Sequence, residues 1–365
     1  MGQGKYLASV PRFILSGALA FVLSFPAGAQ VRYPAVTPGY AITFPRDHGA
    51  HPEFRNEWWY ATGWLKTAAG DALGFQVTFF RTRPDIVTDN PSAFTPRQII
   101  LAHAAITEVR RGRLSHDQRA ARPALGLAGA SEARTEVWVD DWRLSLEGNT
   151  YTARIPAREF TLELKLTAGD PPLLHGEGGF SRKGKRPGEA SYYYSRPNLS
   201  VHGSVNGQAV TGTAWLDHEW SSSYLAPEAA GWDWVGINLA GGGALMVFRM
   251  RRKDGSGNYS GGTLAHRDGS RTSFGPEDVS IEPVRRWRSP RSSCSRREYP
   301  VALRVRVAGK LFRVEPLIDD QELDSRASTG TIYWEGAVRL IDESTGSEAG
   351  RGYLELTGYW RPMKL

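Results

Sequence analysis

Cysteine is nearly absent: Cys294 stands alone in 365 residues, so no internal disulfide can form and stability has to come from packing. No stretch carries the 3.6-residue apolar period of a long amphipathic helix, which argues against a helical bundle. The longest apolar run, Phe13 to Phe25, falls short of the roughly 20 residues that a membrane-spanning helix needs. Catalytic signatures are missing too. Gly179-Phe180-Ser181-Arg182-Lys183-Gly184 does not have the Gly-x-Ser-x-Gly spacing of a nucleophile elbow, and no glycine loop suited to cradling phosphates is present. His48, His51 and Glu53 lie in a Pro/Gly-rich lead-in rather than in a His-Glu-x-x-His helix, so no metal and no cofactor are expected. The formal charge of +7 is scattered, with short basic clusters only at Arg249–Lys253 and Arg285–Arg297. That pattern carries no nucleic-acid code and suits peripheral contact with an anionic membrane surface equally well.

What is present is aromatic and turn-rich. Aromatic residues make up 11% of the chain, too many for a disordered one, and 40 Gly with 22 Pro punctuate short strands rather than helices. Residues 1–29 read as a cleaved secretory signal: Lys5 and Arg12, an apolar stretch, then Ala27-Gly28-Ala29 before the expected cut. The mature chain would then be secreted or periplasmic.

From Gln30 onward, segments such as Trp58–Leu65, Ala72–Arg81, Glu136–Leu146, Val210–Leu216, Trp232–Leu239, Ala244–Arg251 and Thr331–Leu340 combine β-branched and aromatic residues with turn residues at their ends. Trp59-Tyr60-Ala61-Thr62-Gly63 recurs as Trp232-Asp233-Trp234-Val235-Gly236, and Ala72-Leu73-Gly74-Phe75 as Ala244-Leu245-Met246-Val247, at offsets of 173 and 172. The expectation is an all-β protein of two tandem lipocalin-like β-barrels, residues 30–200 and 201–365, each closed to hide its strand edges.

Several strings resemble the AttH and carotenoid 1,2-hydratase (CrtC) family: His48-Gly49-Ala50-His51-Pro52-Glu53-Phe54-Arg55-Asn56-Glu57-Trp58-Trp59-Tyr60, Ser191-Tyr192-Tyr193-Tyr194-Ser195-Arg196-Pro197, Trp215-Leu216-Asp217-His218-Glu219-Trp220 and Gly231-Trp232-Asp233-Trp234. Asp319-Asp320-Gln321-Glu322-Leu323-Asp324-Ser325 fits the AttH branch. The resemblance spans essentially the whole mature chain and implies a pair of lipocalin-like barrels. Its members include hydratases that add water to an isolated carotenoid double bond, secreted proteins encoded with ABC transporters, and fungal pericyclases.

Hydrating such an alkene needs an acid, a wall that tolerates a carbocation, and one water. Period two puts His218 and Trp220 on the more apolar face of their strand, aimed at a cavity expected inside the second half, while Asp217 and Glu219 share the other face. On that face both carboxylates read as solvated, with Asp217 also a candidate to assist the proton donor. His218-Glu219-Trp220 is similar in spacing to the His-x-Trp pair of the hydratases. Imidazolium would donate or relay the proton, and the indole would stabilise the cation. The hydratases also carry a Tyr-x-Asp pair, for which Asp233 between Trp232 and Trp234 is the nearest substitute. Trp232, Trp234, Tyr192, Tyr194 and Trp334 are the candidate ligand-binding rings. Two readings remain open: a hydro-lyase of the carotenoid-hydratase type, and a non-enzymatic lipocalin-like binder of a terpenoid or lipid that serves an envelope ABC transporter.

Overall fold

The computed structural model describes residues 1–2, 31–86, 90–92, 95–291 and 298–364; the signal segment and Cys294 lie outside the described residues. Between them the described residues form 23 strands and two short 3-10 turns. The strands belong to two antiparallel sheets that curl into barrels, one after the other along the chain.

The first sheet runs in the spatial order Arg113–Ala121, Ile99–Glu108, Ala72–Thr82, Asn56–Thr67, Gln208–Ser223, Ala190–Val205, Thr161–Thr167, Thr150–Pro156, Trp142–Glu147, Glu136–Val139, Ala128–Ala130. Two short strands, Leu173–Leu174 and Phe180–Arg182, add to the upper part of Ala190–Val205. The second sheet runs Arg271–Phe274, Gly257–Ala265, Ala244–Arg252, Ala229–Leu239, Glu348–Leu356, Thr331–Asp342, Lys310–Pro316, Glu298–Val307, Ser280–Arg288, with Glu322–Ser325 attached to Thr331–Asp342. In each sheet the first long strand pairs with the last one, Asn56–Thr67 with Gln208–Ser223 and Ala229–Leu239 with Glu348–Leu356. The internal repeat is therefore a repeat of topology.

Two details differ from the sequence reading. The boundary expected at 200/201 falls inside the strand Ala190–Val205, and the chain passes from one sheet to the other between Ser223 and Ala229. The offset of 173 also inverts the faces, because an odd shift exchanges the two sides of a strand. Trp59 points into the first barrel, whereas Trp232 points out of the second. The equivalent rings are Trp58 with Trp232 and Tyr60 with Trp234.

Each barrel has its own apolar interior. In the first it is built from residues such as Trp59, Phe75, Trp142, Leu164 and Leu216, and in the second from Val235, Tyr299, Trp334 and Leu354. Trp334 thus points inward, as expected from a strand in which Ile332, Trp334 and Val338 alternate with the polar Thr331, Glu335 and Arg339. A third cluster, including Tyr60, Trp64, Tyr193, Trp215, Trp234, Met246 and Tyr353, is formed by the outer faces of both sheets. It joins the barrels back to back, with Trp64 Nε1 donating to the Gly352 carbonyl at 3.0 Å across the seam. Gly74 is required there: a Cβ on it would sit 2.7 Å from Ala337 Cβ and 2.9 Å from the Tyr353 hydroxyl.

Candidate functional site

Because the strands along the seam are buried on both faces, alternation sorts their side chains between a barrel interior and the space between barrels. It does not sort them between core and water. The strand Gln208–Ser223 sends Ala214, Leu216, His218 and Trp220 into the first barrel and Trp215, Asp217 and Glu219 toward the second. His218 is fully buried, and so is Trp220.

The cavity lies in the seam. It encloses about 370 Å³, within the range of small-molecule sites, and opens beside the exposed Thr329 and Lys364. Its wall is aromatic. Trp58 and Tyr60 come from the first barrel, Trp232, Trp234 and Tyr333 from the second, with Tyr193 and Tyr224 beside them. Tyr60 stands edge-on to Trp234 at 5.4 Å, and Trp234 Nε1 donates to the Tyr193 hydroxyl at 3.1 Å.

Four carboxyl groups face this wall: Asp217, Glu219, Glu335 and Glu355. Tyr60 is directly opposite Asp217 in the ladder, Trp58 opposite Glu219, and Glu335 opposite Glu355. Burial pushes Asp217 up to about 7, although the Ser195 hydroxyl and Trp215 Nε1, the latter at 2.5 Å, both donate to it. Burial likewise raises Glu219, against the opposing charge of Lys183, whose Nζ is 2.9 Å away and equally buried. Glu335 is raised well above the usual carboxylate range, first through burial and then through repulsion from Glu355. Glu355 is half-buried and is lifted to about 7 by desolvation, while Trp232 Nε1 donates to it at 2.8 Å. Two carboxyl groups held opposite each other in an apolar site cannot both ionise cheaply, so near neutrality one of them keeps its proton. The Tyr60 hydroxyl and Glu335 lie beside each other at the pocket, with Tyr333 also close to the carboxyl, although neither the Tyr60 hydroxyl nor Glu335 Oε1 makes a hydrogen bond of regular geometry.

Inside the first barrel a second polar cluster surrounds His218. Glu57 Oε1 lies 2.8 Å from both His51 Nδ1 and His218 Nε2, and Arg81 Nε donates to Glu57 Oε2 at 2.8 Å. His218 Nδ1 is 3.1 Å from the Tyr194 hydroxyl, which is 2.8 Å from His48 Nδ1. Burial works to lower His51, but Glu57 and Asp47 overcome it and hold the imidazole at about 9. Burial lowers His218 despite Glu57, and lowers His48 to about 4. Burial alone would raise Glu57; the His51 and Arg81 charges keep it well below the usual carboxylate range.

The ligating atoms of His51, Glu57 and His218 lie within 4.8 Å of one another, a span that a metal could bridge. A metal would need both imidazoles unprotonated and the carboxylate free. Here one imidazole is cationic and the guanidinium already holds the second oxygen, so the donor set suits a shared proton better than an ion. Stacking of His51 on Trp220 at 3.8 Å and of His218 on Trp59 at 4.8 Å seals the cluster.

Of the residues expected from sequence, Asp217, Trp232 and Trp234 come together at the pocket. His218, Trp220, Tyr192 and Tyr194 are grouped elsewhere, inside the first barrel, and Trp334 fills the core of the second. The cavity itself is between the halves rather than within the second. Asp233 faces away from Trp232 and Trp234: its carboxylate accepts from Arg249 Nη2 at 2.5 Å, Arg251 Nε at 2.7 Å and the Tyr359 hydroxyl at 2.9 Å. Asp217 and Glu219, read as solvated, are buried because the second barrel covers them. Glu335 and Glu355 were missed. The available signal was the company each keeps, with Tyr333 and Ala337 flanking Glu335 on its own strand face and Tyr353 sharing the face of Glu355. The acidic turn Asp319–Asp324 meets arginines, Asp324 with Arg326 at 2.6 Å and Asp319 with Arg285 at 2.6 Å.

A family described as AttH-like matches residues 35–359. The crystal structure of a putative AttH from Nitrosomonas europaea is 49% identical, with a TM-score of 0.83 over 89% of this chain and 99% of that one. Kievitone hydratase from Nectria haematococca shares the fold, with a TM-score of 0.66 at 12% identity over 90% of this chain and 97% of that one. Comparison with curated proteins gives no significant match.

Proposed function

We propose, for a chain that belongs to the AttH-like family, that the pocket between its barrels takes up an apolar unsaturated molecule, a terpenoid or related lipid, and adds water across an isolated double bond. The observation that carries this reading is the facing pair Glu335 and Glu355 in an aromatic wall. Glu335, kept neutral by burial, gives its proton to one alkene carbon. The π electrons form the new C–H bond and leave a cation on the other carbon, against the faces of Trp232, Trp234 and Tyr60. Water bonds to the cation and loses a proton to Glu355, whose value near 7 suits a base at neutral pH. Transfer of that proton to Glu335 restores the pair, so the balance is substrate plus one water.

The second reading, a binder without turnover, is favoured by one observation: the His218 and Trp220 pair faces the first barrel rather than the pocket. Both readings place the mature chain outside the cytoplasm after cleavage at Ala29, with an envelope ABC transporter as the partner of the binder. Incubating the purified protein with an acyclic carotenoid tests the chemistry. The expected product is heavier by one water, and Glu335→Gln should abolish it while the substrate is still retained. Turnover by Glu335→Gln at the wild-type rate would refute the proton-donor role. Native mass spectrometry of the protein as purified separates the readings, since an intact lipid with no hydrated product supports the binder.

A further inference from the structure

The fold brings one arginine of the second basic cluster, Arg286, beside the first cluster, Arg249–Lys253. Arg249, Arg251, Arg252 and Lys253 lie on or just after the strand Ala244–Arg252, Arg286 lies on Ser280–Arg288, and Arg361 is in the segment that follows Glu348–Leu356. Together they line a groove of about 680 Å³ at one end of the second barrel.

The charges in this groove do not cancel. Asp233, fully buried beneath it, is shared by Arg249 and Arg251, so one carboxylate serves two guanidinium groups. The Arg251 guanidinium also lies 3.7 Å from the centre of the Tyr359 ring, which fixes its plane. Arg252 donates to the Gly257 carbonyl at 2.6 Å and feels the charges of Asp254 and Glu228, but forms no close ion pair with a described residue. Lys253, Arg286 and Arg361 are exposed and form no ion pair with a described residue, and Arg361 stacks on Trp360 at 4.2 Å. The acid that does line the groove, Asp254, accepts from the backbone N–H and hydroxyl of Ser256. Six cations therefore stand against two carboxylates, in a concave site with a low-dielectric floor. Folding brings these like charges together at a cost that a bound polyvalent anion would offset. Guanidinium forks converging from separate strands match the several oxygens of a phosphate better than the single edge of a carboxylate.

We propose that this groove binds a phosphate group, held by Arg252, Lys253, Arg286 and Arg361 above the fixed Arg249–Asp233–Arg251 triad. Tyr359, Trp360, Arg361 and Pro362 wall the groove, while the next residues, Met363 and Lys364, line the aromatic pocket. One short segment thus separates a phosphate site from an apolar one. The phosphate belongs either to a soluble ester or to a lipid headgroup at a bilayer surface.

The test titrates the full mature chain with inorganic phosphate by calorimetry. In a second arm it measures sedimentation with phosphatidylcholine vesicles prepared with and without phosphatidylglycerol. The double variant Arg286→Ala/Arg361→Ala changes exposed side chains and should melt as the wild type does. Loss of one charge-assisted hydrogen bond corresponds to about a tenfold weakening, and the double variant should lose at least that. Phosphate binding in solution that the variant loses supports the site and assigns a soluble ester. Binding only to phosphatidylglycerol vesicles, weakened by salt and by the variant, supports it and assigns a headgroup. No binding in either arm, or binding that the double variant leaves unchanged, overturns the proposal. Neither arm depends on Glu335 or Glu355, so failure here is distinguishable from failure of the hydration reading.

Discussion

Replacing Asp217 by asparagine removes an acid from the pocket while keeping its shape, and the structure sets the size of the effect. In an unfolded chain this carboxyl titrates near 3.8; in the seam it is pushed to about 7 by burial. The folded state therefore holds the proton more tightly than the unfolded one. The stability linked to that proton is complete below pH 3.8 and is lost as the pH rises through 7. At about 1.36 kcal/mol per pH unit, the interval corresponds to roughly 4 kcal/mol as an upper bound. Asparagine has no proton to lose.

Urea unfolding followed by tryptophan fluorescence at pH 4, 6 and 8 gives the wild-type and Asp217→Asn stabilities. Their difference cancels every other titrating group. At pH 4 the wild type should be equal or better, because the neutral acid still accepts from Ser195 and Trp215. By pH 8 the difference should have moved toward the variant by about 2–4 kcal/mol. Two curves that stay parallel across this range would mean that Asp217 is ionised throughout. The seam would then be wet, and the neutral carboxyl groups required for acid catalysis would lose their basis.

Asp233→Asn should destabilise the second barrel by about 3–5 kcal/mol, since it strands two guanidinium groups over a buried site. Turnover or ligand retention per folded molecule should be unchanged, read by thermal melting beside product analysis. His218→Ala leaves Glu57 and Tyr194 each short of a partner, and should cost about 2–5 kcal/mol while the pocket still retains its ligand in native mass spectrometry. If ligand retention disappears with the fold intact, the imidazole serves the pocket after all. Gly74→Val forces a side chain between the barrels and should cost about 1–3 kcal/mol. An iodide quencher should then reach the seam tryptophans more readily, and unchanged quenching would show that the seam yields without opening.

Much of the architecture was legible in the sequence because strands advertise themselves locally. Alternation, turn residues and the recurring aromatic hairpin require no knowledge of what lies across from them. The split of His218 and Trp220 from Asp217 and Glu219 was readable for the same reason, and so was the inward aim of Trp334. The sequence also contained the groove cations and all four pocket acids, without showing that distant segments would bring either set together.

Only the tertiary structure decided which face was which. Alternation gives two faces but names neither, and the usual rule that the more polar one is wet assumes that a single face is covered. Along the seam the second barrel covers the other face as well. Asp217, Glu219 and Glu335 become buried acids at a cavity with the half-buried Glu355 beside them, while His218, aimed at a cavity by its apolar neighbours, joins a hydrogen-bonded chain inside the first barrel. The physical reason is that desolvation depends on what packs against a strand from far along the chain, and a local pattern carries no record of it.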